Sequence, residues 1–141
     1  YRYLEINRSL RRFHRVVLLD VIRGIEVSGG TVDQNPLNDL LTINGEFTAA
    51  VVIARCKLTS GGSSRWKIRL DTALKPDITI AIRMDSQNEH PHDFYILPRL
   101  DMRDAVMRLA EHNGLSLDAY RFDVLDAFYE LTSRSTLRRA A

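Results

Sequence analysis

The sequence predicts an α+β domain in which one mixed, mostly antiparallel sheet of about five strands is layered against an N-terminal helix and two C-terminal helices. Three observations predict it. Ile6, Leu10, Phe13, Val17 and Val21 recur at spacings of three and four, the stripe of an amphipathic helix. Two apolar runs, "LLTI" and "FTAAVVIARC", flank Asn44-Gly45, the dipeptide of a type I′ hairpin turn. Two later segments, "RWKIRLD" and "DITIAIRMD", alternate with the period of a strand.

The first helix is expected over about residues 5 to 24, with Arg8, Arg11, Arg12 and Arg15 mostly off its buried stripe and glycine ending it. "IEVSGGTVDQNP" leads into the hairpin. In its second strand Ala49, Val51, Ile53, Arg55 and Lys57 share one face, and Ala50, Val52, Ala54, Cys56 and Leu58 the other. Both faces are apolar for most of the length, which predicts a central strand covered on both sides. "TSGGSS" reads as a turn. Beyond it, Trp66, Ile68 and Leu70 face inward, while Arg65, Lys67, Arg69 and Asp71 face outward. In the next strand Ile78, Ile80, Ile82 and Met84 oppose Asp77, Thr79, Ala81, Arg83 and Asp85. "SQNEHPH" reads as a polar turn and "DFYILP" as a short strand ended by Pro98.

Met102, Val106, Leu109 and Ala110 suggest a helix capped by Asp101 and stopped at Asn113-Gly114. Asp118 is a candidate cap for a last helix, with Phe128 and Leu131 on its buried side. "SRSTLRRAA" reads as a frayed tail.

The chain of 141 residues suits one domain, 1–141, and its opening on Tyr1 suggests a fragment of a longer protein. One cysteine excludes an internal disulfide and points to the cytoplasm. No apolar run approaches the ~20 residues of a membrane span, and no signal peptide is visible. The net charge of +2 identifies no partner by itself. Seventeen of the 20 Lys and Arg are arginine, whose planar fork suits phosphate and surface ion pairs alike.

The order of elements, with "NDLLTI", "ARCK", "PDITIAI" and "DFYILPRLDM" in sequence, resembles the PD-(D/E)xK nuclease-like superfamily, the restriction-endonuclease-like fold. The resemblance covers about residues 5–113. It implies that Asp39 holds the place of the metal-binding carboxylate, with Mg²⁺ as the implied ion. It places Arg55 at the Glu/Gln position and Lys57 at the catalytic lysine. Glu5 stands where some members carry a further acid, and Glu46 is another candidate for such a centre. If the chain is an enzyme, the resemblance makes it a divalent-metal-dependent nuclease. Yet Mg²⁺ takes oxygen ligands, and Arg55 offers none and repels a cation. The resemblance thus implies a nucleic-acid-binding or -processing domain with weak or absent cleavage.

Arg55, Lys57, Arg65, Lys67, Arg69 and Arg83 are the candidate contacts to nucleic acid, DNA above all, and would grip phosphates without reading bases. The bland alternative is a solvated face balanced by Asp71, Asp77 and Asp85. Trp66 points away from Lys67, so it belongs to the core and not to a base-stacking platform. His90 and His92 in "EHPHD" flank Pro91 in a turn with no second ligand cluster, which favours a surface loop over zinc. His14 reads as structural or solvated. Cys56 alternates inward and reads as a buried thiol. The functional alternative is a protein-interaction or homodimerisation domain using the last helix, through Tyr120, Phe128 and Tyr129.

Overall fold

The computed structural model describes residues 2–37, 40–58, 61–62, 64–69, 75–99, 106–110 and 118–133. A long helix, α1 (Arg2–Val27), opens the chain. Among the described residues nine strands follow: β1 (Val32–Gln34), β2 (Leu41–Ile43), β3 (Phe47–Ala54), β4 (Cys56–Leu58), β5 (Ser64–Arg69), β6 (Ile78–Met84), β7 (Pro91–Pro98), β8 (Val106–Ala110) and β9 (Arg121–Phe122). A 3₁₀ turn at Asp118–Tyr120 precedes β9, and α2 (Val124–Ser133) ends the described chain.

Six strands form a mixed sheet in the order β1-β2-β3-β6-β7-β9, and β4-β5-β8 form a second, smaller sheet. The class is the expected one, with two helices among the described residues where three were expected. The β3–β6 pair is parallel, in register from Ala49↔Ile78 to Ala54↔Arg83, and the other neighbours are antiparallel. This pair is central, as the two apolar faces of β3 require.

Helices cover one face. Val17, Val21 and Ile25 of α1 and Ala127 and Leu131 of α2 pack on Ile78, Ile80, Ile82, Met84, Phe94 and Ile96. Burying each such aliphatic side chain contributes about 1.5–3 kcal/mol. The opposite face carries Ala54, Ala81, Tyr95 and Leu97, and Cys56 and Trp66 of the smaller sheet cover it. Every residue of β6 is buried.

The turn chemistry follows the sequence. Asn44 and Gly45 hold positive φ of 56° and 63°, and the Glu46 N–H donates to the Ile43 carbonyl at 3.0 Å. The helix passes through Gly24 and ends later than expected. Gly29, at φ 97°, donates to the Glu26 carbonyl and Gly30 to that of Ile25, the paired bonds of a Schellman cap.

Two expectations change. Residues 106–110 are a strand and not the middle of a helix, because Val106–Ala110 pairs antiparallel with β5 along its length. A short apolar run fits either period, and the open edge of β5 decides it. In addition, β7 begins at Pro91 inside the expected turn, at a strand's first position, where proline costs no ladder bond. No described helix is long and apolar enough to cross a membrane.

Candidate functional site

β3 and β4 are one ribbon broken at Arg55, which lets it leave the large sheet and enter the small one. Three side chains dock the small sheet. Asn88, at φ 56°, accepts from the Cys56 N–H at 2.6 Å and donates to the Cys56 carbonyl at 3.1 Å, as a strand partner would. The Trp66 indole N–H donates to the Met84 carbonyl at 2.8 Å. The Arg83 guanidinium lies 5.0 Å from the Trp66 ring centroid.

The turn that presents Asn88 is built around Asp85. Its carboxylate accepts the N–H groups of Gln87, Glu89 and His90 at 2.9–3.2 Å. The Glu89 bond most strongly, with those of His90 and Gln87, holds the Asp85 carboxyl below its usual range.

The register of the small sheet fixes its faces. Cys56 and Trp66 pair with each other and are buried, and Leu109 stands opposite Trp66 in the register. The alternate positions are Lys57↔Arg65, Arg65↔Ala110, Lys67↔Arg108 and Arg69↔Val106. Five of these seven positions are cations and none is an acid. They repeat at about 6.8 Å along a strand and about 4.8 Å between strands. Lys57 is exposed. Like charges directly opposite one another weaken a sheet, and here they occur at Lys57↔Arg65 and at Lys67↔Arg108.

Four of the six expected contact residues, Lys57, Arg65, Lys67 and Arg69, therefore share one face by register. Arg55 is exposed at the break, with its guanidinium 4.9 Å from the Phe13 ring centroid of α1. Arg83 is a correction: it is 6% exposed and forms two hydrogen bonds to the fully buried Asp93, at 2.8 and 2.6 Å. Burial opposes its charge, but the hydrogen bond and field of Asp93 prevail and raise its pKa. Arg121 also donates to Asp93 at 2.6 Å, which raises its own pKa. Arg83 thus anchors the fold where a solvated or phosphate-facing cation was expected. Arg108 is the residue that sequence reasoning missed, because a helix at 101–113 hides its place opposite Lys67.

Asp39, the expected metal ligand and catalytic acid, lies outside the described residues, and Glu5 lies on α1. Glu46 is exposed in the β2–β3 turn. Arg55 and Lys57 are cations outside the β2–β3 ladder and supply no oxygen for Mg²⁺. Among the described residues no group of three His, Cys, Asp or Glu gathers to hold a metal ion. His90 and His92 are exposed and Cys56 is buried. Asp77, in "PDITIAI", is structural. It accepts from Thr48 N–H at 2.8 Å and from Arg99 at 2.9 Å, tying β3 to the start of β6. Of the expected interaction residues on the last helix, Phe128 packs into the core, Tyr120 is half-buried and Tyr129 is exposed.

No protein-family model and no curated protein matches the sequence. The fold matches the solved structure of a bacterial homing endonuclease, I-Ssp6803I, with a TM-score of 0.53 over 86% of this chain and 90% of that one, at 12% identity. At that identity the likeness is one of fold, and the fold is nuclease-like.

Proposed function

We propose that this chain binds nucleic acid, duplex DNA in the first place, through the outer face of the β4-β5-β8 sheet, on a scaffold of the PD-(D/E)xK kind that does not cleave. The observation that carries the reading is the pairing of like charges across that sheet. A face that merely met water would gain by alternating signs; this one gives up about 0.2–1 kcal/mol per pair to keep five cations together. Structures accept such local losses where function requires them. Phosphates are the counterions that turn the loss into a gain, and their neutralisation releases bound salt.

The test is duplex binding by fluorescence anisotropy for the wild type and for Arg65→Glu/Lys67→Glu. The reading predicts a loss of about tenfold or more in the variant, and no cleavage by the wild type with Mg²⁺ or Mn²⁺. Equal affinity in both proteins rejects the face. Metal-dependent cutting that Asp39→Ala and Lys57→Ala abolish rejects the non-cleaving part.

A further inference from the structure

α1 carries a row of four arginines. Arg8, Arg11, Arg12 and Arg15 fall at i, i+3, i+4 and i+7 of a helix that runs from Arg2 to Val27. At about 100° per residue they stand within one sector of about 100°, over about 10 Å of its axis. From residue 6 to residue 19 the sequence holds no acid. Of the acids on the helix, Glu5 stands one turn before Arg8, Asp20 lies on another side, and Glu26 follows Arg15 by about 16 Å. Arg12 and Arg15 are exposed, and neither pairs with an acid among the described residues. Like charges at these spacings destabilise a helix, so the row, like the small sheet, keeps cations together against the interest of the fold.

The row stands on the side of α1 away from the rest of the molecule. Val17 and Val21, which pack on the large sheet, lie on the opposite half of the helix. So does Phe13, whose ring meets Arg55 at 4.9 Å. α1 covers one face of the large sheet and β4-β5-β8 cover the other, so the large sheet lies between the arginine row and the cations of the small sheet. With packed layers about 10 Å apart, one straight duplex does not reach both.

We propose that the arginine row of α1 is a second phosphate-binding surface, and that the chain holds two duplex segments at once, one on each side of the large sheet. The proposal rests on the reading of β4-β5-β8 as a duplex-binding face. Arginine forks suit phosphate oxygens. A row of about 10 Å matches about three nucleotides of one strand, which rise about 3.4 Å each. The grip is on phosphate, so it carries no sequence preference.

Capture of a second duplex tests it. The protein is bound to an immobilised duplex at about 0.1 M salt, where charges more than about 10 Å apart are screened from one another. A labelled second duplex is then added. The wild type should retain the label. Arg12→Glu/Arg15→Glu should retain about tenfold less, while its affinity for a single duplex stays within about threefold and its circular dichroism matches the wild type. Arg12→Lys/Arg15→Lys keeps the charge and should restore most of the capture. A wild type that binds one duplex and captures no second overturns the proposal and leaves the small-sheet reading standing. Capture that Arg12→Glu/Arg15→Glu leaves unchanged also overturns it. Equal loss of capture and of single-duplex affinity would join row and sheet in one site, and overturns it too. If the wild type binds no duplex at all, both readings fall.

Discussion

Gly24 lies inside α1, where glycine costs about 0.5–1 kcal/mol relative to alanine. The reason is the Phe128 ring: a Cβ at Gly24 would lie 2.3 Å from its Cζ. The ring has little room to retreat, because its edge meets Phe94 with centroids 5.4 Å apart and planes at 85°. Gly24→Ala should therefore destabilise by about 1–3 kcal/mol, measured by denaturant titration. In a Phe128→Ala background the same change should stabilise by about 0.5–1 kcal/mol. A Gly24→Ala chain more stable than the wild type would show that the ring does not press there. Asp93 is the other decisive residue. Asp93→Ala leaves Arg83 buried and unpaired, at about 3–5 kcal/mol. Arg121→Ala removes a partner whose side chain is 39% exposed, so solvent screening limits its cost to about 1 kcal/mol. Equal costs would refute the buried pair. Strand alternation put Arg83 on the correct face of its strand. Alternation could not show Asp93 opposite it, because that depends on the β6–β7 register.

The small sheet is held as an element by the β6–β7 turn, and the clamp can be opened in two ways. Asn88→Gly keeps the positive φ and removes both bonds to Cys56. Its expected cost is about 1–3 kcal/mol, with faster amide exchange at Cys56. Unchanged exchange there would mean the clamp holds nothing. Asp85 adds a pH dependence. Its folded carboxyl sits below the unfolded value of about 3.9, so its contribution is present above that pH and lost as pH falls through the folded pKa. Amide exchange at Glu89 should accelerate across that acid range, and Asp85→Asn should flatten the profile. At this scale the sequence was legible where one period dominated: α1, the Asn44-Gly45 hairpin, β5 and β6. It misled at 106–110, where "VMRLA" is short and apolar enough for either helix or strand. The choice there lies with the open edge of β5, a partner remote in sequence. Arg108 was lost to view with it.

At the scale of the molecule, helices cover one face of the large sheet and the small sheet covers the other through Cys56 and Trp66, with Lys57, Arg65, Lys67, Arg69 and Arg108 at the alternate register positions. If the face binds as proposed, concentrating charge in this way sets stability against binding, and a single substitution separates the two. Lys67→Glu places an acid opposite Arg108 and should stabilise the fold by about 0.2–1 kcal/mol while weakening DNA binding. A variant that loses both stability and binding would make the face structural. The layered architecture was readable from period, and so was the sharing of one strand face by Arg65, Lys67 and Arg69. The nuclease-like centre came from the resemblance and not from period; its Asp39 lies outside the described residues, and Arg55 and Lys57 bring no oxygen to a metal. The central claim concerns the cationic face, and the salt dependence of duplex affinity for wild type and Arg108→Ala tests it most directly. If about five cations meet phosphates, the logarithm of affinity falls against that of salt with a slope of about −4.5, and Arg108→Ala makes the slope shallower by about one. A shallow slope that Arg108→Ala leaves unchanged would contradict it.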